Sequence, residues 1–140
     1  MNEYINILIK EAQCAAQKKE VPIGAIVVYK NIAKSYNKRI KNHDVTSHAE
    51  INAIRKAEKR LGDWRLDECD LYVTLEPCHM CIEVIKEARL RNVYYLLSRN
   101  PQKRSYNKAN ICSMEKNFPV ESDDYRQILS TFFKLNGKRK

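Results

Sequence analysis

Asp70-Leu71-Tyr72-Val73-Thr74-Leu75-Glu76-Pro77-Cys78-His79-Met80-Cys81 joins an apolar run, a break and two cysteines three positions apart. Leu71, Tyr72, Val73 and Leu75 suit a buried strand over residues 70–75. Glu76-Pro77 ends it, because proline has no N–H for a ladder and fits the first position of a helix. A helix is expected from about Cys78 to Arg89. Its spacing sets the Cys78 and Cys81 sulfurs on one face, and the positive end of the helix favours their thiolates, the form that binds metal. A further strand is expected over residues 92–97. Strand, helix and strand in that order predict an α/β sandwich, with one sheet covered by helices.

Working towards the N-terminus, His48-Ala49-Glu50 supplies the other half of a metal site. Ser47 is placed to cap a helix carrying His48, Ala49 and Glu50 in its first turn, with Ile51, Ile54 and Leu61 facing the core. Residues 39–46 are polar and read as a loop. Residues 23–29 are continuously apolar and rich in β-branched side chains, which predicts a buried strand. Lys30-Asn31 turns the chain, and residues 32–37 form the paired strand. Tyr4, Leu8, Ala12 and Ala15 recur at helical spacing within a helix over residues 3–19, ended by Val21-Pro22. Towards the C-terminus, residues 98–114 are basic and polar without a legible period. Residues 123–138 read as a last helix bearing Tyr125, Ile128, Leu129, Phe132, Phe133 and Leu135.

The donor set narrows the chemistry. A structural zinc is closed by four protein ligands, whereas a catalytic zinc keeps one position for water. His48, Cys78 and Cys81 offer three ligands for one Zn2+ per chain, and Glu50 is a spare carboxylate beside the open position. A carboxylate there suits general acid–base work on the water proton. His79 is the nearest rival ligand, but its neighbours fill three positions, so it is expected to line the pocket or face solvent. His43 reads as a loop residue. Cys14 reads as packing on the first helix, and Cys69 and Cys112 as bystanders. At least one of Phe132 and Phe133 belongs to the core, and the other is free to meet substrate. Trp64 is expected to pack locally.

With 140 residues the chain has room for one domain with its own core. Lys and Arg total 26 against 17 Asp and Glu, a net charge of +9 that suits a polyanionic partner such as nucleic acid. The excess is denser at residues 38–41, 99–108 and 134–140. The five cysteines have no disulfide-framework spacing, residues 1–10 do not resemble a secretory signal, and no stretch is apolar enough to span a membrane. A reducing cytoplasm is the expected compartment.

His-x-Glu followed by Pro-Cys-x-x-Cys is the signature of zinc nucleobase deaminases. More of the chain extends the match: Val21-Pro22-Ile23-Gly24-Ala25, Asn37, His43-Asp44, Thr46, His48 through Ile54, Leu71 through Cys78, and Met80-Cys81. On these residues the chain resembles the bacterial tRNA-specific adenosine deaminases of the TadA type, within the cytidine deaminase-like superfamily. A weaker match at residues 129–134 includes the paired Phe132-Phe133. The resemblance implies a three-layer α/β/α sandwich with a central mixed sheet, forming a single zinc-dependent deaminase domain over residues 1–140. It implies hydrolysis of adenosine to inosine at the wobble position of a tRNA anticodon stem-loop by a homodimer. Asn37 would then hydrogen-bond the flipped base, with His43, Asp44, Ala49, Pro77, Phe132 and Phe133 as further substrate contacts. The chain departs from that pattern at Val45, where a proline is usual, and over residues 98–106, which lack the usual aspartate and glycine.

Two other readings share the zinc motif. One is a deaminase of free bases, nucleosides or nucleotides, of the cytosine, guanine or deoxycytidylate type, which has no need of a charge of +9. The other is a basic RNA-binding protein with a structural zinc, which has no use for Glu50.

Overall fold

A computed structural model describes residues 2–99 and 110–136, with side chains from Glu3 onward. Most of the basic run 99–108 and the segment 98–106 beyond Arg99 lie outside the described residues, as do residues 137–140. The elements run α1 (Asn2–Gln17), β1 (Gly24–Val28), β2 (Ile32–Tyr36), α2 (Arg39–Asn42), α3 (Ala49–Leu61), β3 (Asp70–Leu75), α4 (His79–Glu87), β4 (Asn92–Leu97), β5 (Ile111–Ser113) and α5 (Pro119–Asn136).

The strands form one five-stranded mixed sheet in the order β2-β1-β3-β4-β5. β1 is antiparallel to both β2 and β3, whereas β3, β4 and β5 are parallel. α1 packs on α5, and α3 packs on α4, so one helix pair covers each face of the sheet. This is the expected three-layer α/β/α sandwich. Gly24 is where the first layer comes closest: a Cβ there would lie 2.5 Å from Leu8 O and 2.8 Å from Glu11 Cβ. Only a residue without a side chain lets α1 sit so close to β1. Alternation then turns Ala25 and Val27, opposite Val73 and Leu71, to the other face, where all four are fully buried.

α3 is tied to the free edge of β2 by side chains four residues apart. Asn52 Nδ2 donates to Tyr36 O at 3.0 Å, Lys56 Nζ to Lys34 O at 2.6 Å, and Arg60 NH1 to Ile32 O at 2.8 Å. Helical periodicity on one element thus meets alternate carbonyls on the other. On the opposite face, the buried Tyr125 hydroxyl donates to Pro22 O at 2.7 Å, fastening α5 to the chain just ahead of β1.

Several expectations are corrected. Residues 39–46 are not all loop: buried Glu20 accepts hydrogen bonds from Ile40 N at 3.1 Å and Lys41 N at 2.8 Å, and this remote carboxylate organises α2. α1 ends at Gln17 before Val21-Pro22, where Lys18 N and Glu20 N turn back onto Ala15 O and Lys19 takes a left-handed φ of 61°. Leu61 is exposed, because it occupies the last turn of α3 beyond the sheet. The last helix starts at Pro119, where proline suits a first turn, and not at residue 123. β5 lies in the stretch without a legible period, and Cys112 is exposed on it. Cys14 is only half-buried.

Candidate active site

β3 and the β2–α3 connection deliver two helix N-termini to the same end of the sheet. The helices begin one residue later than the sequence predicts. His48 is the residue before α3, with φ −72° and ψ 155°, and Cys78 is the residue before α4, with φ −76° and ψ 175°. Neither side chain caps its own helix, so both are left for other work. Ser47, expected as the cap, instead sits fully buried in a side-chain network with Asn42 and Asn52.

Among the described residues, His48, Cys78 and Cys81 are the group whose metal-ligating atoms converge, all within 4.8 Å of one another. His48 Nδ1 lies 3.7 Å from Cys78 Sγ and 3.5 Å from Cys81 Sγ. Ordinary Zn–S and Zn–N bond lengths at a tetrahedral angle require an S···N separation of about 3.5 Å. Two thiolate sulfurs and one imidazole nitrogen are also the donors that zinc prefers. The residues present therefore fit the metal, with His48 Nδ1 as the nitrogen ligand. In the metal-free protein a hydrogen bond from Cys81 holds the Cys78 thiol down to about 3, and the same bond together with burial pushes Cys81 up.

Glu50 is buried against this cluster, and among the described residues its Oε1 has no hydrogen-bond partner. Burial is the main force raising its pKa, and the Cys78 thiolate adds to it, while its own backbone N–H and His48 pull the other way. An unpartnered carboxylate oxygen in a dry position is costly to keep for structure alone.

A cavity of about 540 Å3 opens beside His48 and Cys78. Val21, Ile23, Leu75, Leu97, Leu129 and Phe133 form its apolar wall, and Asn37, Arg39, Ser98 and Arg99 its polar one. Asn37 is buried. Val21, Asn37 and Arg39 also border a second cavity of about 450 Å3, lined by His43, Asp44 and Phe132. The two phenylalanines thus divide: Phe133 faces the first cavity, and Phe132 is buried and faces the second. His43 is exposed in a left-handed conformation at the end of α2. Asp44 is engaged in a turn, where hydrogen bonds from Thr46 N and Oγ1 hold its carboxyl below the usual range. Ala49 and Pro77 are buried beside the two cap positions, and His79 faces solvent.

The two arginines carry no motif and the sequence reading misses them. Arg99 is anchored by Glu76, whose Oε1 accepts from Arg99 N at 3.0 Å and whose carbonyl accepts from Arg99 Nε at 3.1 Å. Arg39 has its Nε buried, and among the described residues it has no partner. A larger cleft of about 720 Å3 lies towards the far ends of β1 and α3, where Lys30, Arg60, Arg65 and Arg91 face Asp63, Asp67, Glu68 and Asp70. Its charges cancel and it has no cluster of metal-ligating atoms among the described residues. Trp64 lies near it, half exposed, with the Arg65 and Arg89 guanidiniums against its ring.

Comparison with known proteins places this geometry. Residues 1–97 match the cytidine and deoxycytidylate deaminase zinc-binding region. The tRNA-specific adenosine deaminase of Agrobacterium fabrum is 48% identical over 94 residues, covering 66% of this chain and 62% of that protein, so the match spans less than two thirds of its length. The tRNA-specific adenosine deaminase of Buchnera aphidicola subsp. Schizaphis graminum is 36% identical over 94% of this chain and 92% of its own. A solved structure from studies of A-to-I editing by tRNA:A34 deaminases superposes with a TM-score of 0.71 at 36% identity, covering 80% of this chain and 97% of that one. The chain belongs to the cytidine and deoxycytidylate deaminase zinc-binding family, among its tRNA-specific adenosine deaminases.

Proposed function

We propose that this chain is a tRNA adenosine deaminase that hydrolyses adenosine to inosine at the anticodon wobble position. One observation carries the reading: a buried carboxylate with an unpartnered oxygen lies against an incomplete set of zinc ligands, at the side of a cavity. A structural zinc would need a fourth ligand and would leave Glu50 without a task.

His48, Cys78 and Cys81 hold the metal. When bound, zinc supplies Lewis-acid activation of a water at neutral pH. Glu50 takes one proton from that water as the water oxygen bonds to the amino-bearing carbon and gives it to the adjacent ring nitrogen; it then takes the second proton from the new hydroxyl and gives it to the amino group, whose C–N bond breaks to release ammonia. Burial raises its pKa above the ordinary carboxylate range, which makes it a stronger proton acceptor. Asn37 hydrogen-bonds the base edge, and the apolar wall with Phe133 packs against the base after it leaves its stack. Arg39 and Arg99 offer charge to the phosphates on either side, in keeping with a net charge of +9. Ala49 and Pro77 border the base site. His43, Asp44 and Phe132 border the neighbouring cavity, which suits a flanking nucleotide. Residues 1–140 act as one deaminase domain, working as a homodimer in the cytoplasm. No helix among the described residues is long and apolar enough to cross a membrane.

The test is turnover of an anticodon stem-loop with adenosine at the wobble position by the zinc-loaded protein, beside free adenosine, cytidine and guanine. Inosine in the stem-loop with no turnover of the free compounds is expected. Turnover of a free compound alone would replace the proposal with a small-molecule deaminase. Stem-loop binding without turnover would leave an RNA-binding protein.

A further inference from the structure

Asn52 lies one turn beyond His48 on α3. Its Nδ2 carries two hydrogens, and each goes to a backbone carbonyl: Tyr36 O at 3.0 Å and Ser47 O at 3.2 Å. Tyr36 is the residue before Asn37, and Ser47 is the residue before His48. One amide therefore holds the peptide leading to the base-contacting residue and the peptide leading to the metal ligand. The same side chain is fixed at its other end, where Oδ1 accepts from Ser47 Oγ at 3.1 Å and Ser47 Oγ accepts from Asn42 Nδ2 at 2.9 Å. Lys38 N, on the far side of Asn37, also donates to Ser47 O at 2.9 Å.

We propose that Asn52 is a positioning residue that sets the distance between the Asn37 amide and the His48 ring. This rests on the reading in which Asn37 holds the base and His48 the metal. Because a peptide unit is planar and stiff, fixing the Tyr36 and Ser47 carbonyls fixes where the next Cα–Cβ bond starts. Catalysis needs the base and the activated water held within a few tenths of an ångström, and a displacement of about 1 Å costs roughly a hundredfold in rate. Loss of this clamp would leave both partial functions in place, with base binding and metal binding intact but out of register.

The structure contains its own control. Lys56 and Arg60 tie the same helix to the same strand through Lys34 O and Ile32 O, away from the site. If Asn52 served only to dock α3 on β2, Lys56→Ala would act as Asn52→Leu does.

The experiment compares Asn52→Leu, Asn52→Asp and Lys56→Ala with the unaltered zinc-loaded protein. The readouts are zinc content, affinity for the stem-loop, kcat, KM and melting temperature. For Asn52→Leu the expected result is a kcat lower by about ten- to a hundredfold, with KM and stem-loop affinity within about threefold and zinc near one per chain. Asn52→Asp, which turns an oxygen onto two carbonyls, should lose more kcat with the same split. Lys56→Ala should melt lower and keep its kcat. The proposal is overturned if Asn52→Leu keeps kcat within about twofold, if its loss follows lost zinc or lost affinity, or if Lys56→Ala shows the same fall. Failure of both Asn52 variants to fold beside a folded Lys56→Ala also overturns it, since Asn52 would then be a folding residue. An unaltered protein that holds no zinc or leaves the stem-loop unchanged refutes the functional reading instead.

Discussion

α2 and the pair α3–α4 begin in opposite ways. The short α2 is started by a remote group: the Glu20 carboxylate takes Ile40 N and Lys41 N, and those donors are satisfied. α3 and α4 begin with His48 and Cys78 at the cap position, and neither side chain gives its helix a cap bond. A capping side chain contributes about 1 kcal/mol. The site forgoes that stabilisation at two helix starts, and by doing so leaves an imidazole and a sulfur pointing at a shared point. Helix starts built for stability use their polar side chains, and these two withhold them.

The strongest way to break the contrast is to remove the sulfur that converges with the two withheld groups. Cys81→Ala should reduce zinc well below one per chain and abolish turnover, as metal analysis beside the stem-loop assay would reveal. Retained zinc and activity would mean that the convergence of His48, Cys78 and Cys81 is incidental. Next comes Glu50→Gln, expected to lower kcat by about two to four powers of ten with zinc content unchanged. The metal-free variant should also melt higher than the parent, because a neutral amide costs less to bury without a partner than a carboxylate does. A third change sharpens the other side of the comparison. Glu20→Ala strips α2 of its starting carboxylate and should cost about 2–3 kcal/mol in denaturant unfolding, moving Arg39 and weakening stem-loop binding while zinc stays bound. The smallest effect separates His48→Asp from His48→Ala. When the two are compared with the metal stripped from both, aspartate restores a cap, so the Asp variant should be about 1 kcal/mol more stable than the Ala variant. Equal stabilities would show that the α3 start has no unmet need.

β1 to β4 and the cysteine half of the metal cluster were legible because their signals are local. Residues 70–75 and 92–97 are bounded by breakers, and the cysteine spacing states its own geometry. The β1–β2 hairpin was legible for the same reason, through Lys30-Asn31. What the sequence hid depends on partners far along the chain. α2 has no apolar period, and its start is set by Glu20. β5 is only three residues long and pairs with β4 across a stretch with no pattern. Arg39 and Arg99 lie in basic runs, where nothing marks the two guanidiniums that border the cavity. The one-residue error in both helix starts has a physical cause as well. Sequence rules look for a hydroxyl or carboxamide at the cap, and here that position holds His48 in one helix and Cys78 in the other.

Tyr125 reaches back 103 residues to grip Pro22. During synthesis, β1, β2, β3 and both ligand-bearing helices emerge long before that anchor does. If His48, Cys78 and Cys81 hold zinc as proposed, a nascent chain can acquire it while the wall carrying Leu129 and Phe133 is still inside the ribosome. Chains stalled with α4 outside the ribosome and α5 still within it should already retain zinc yet fail to capture the stem-loop, and stalled chains that capture it would refute this order of assembly.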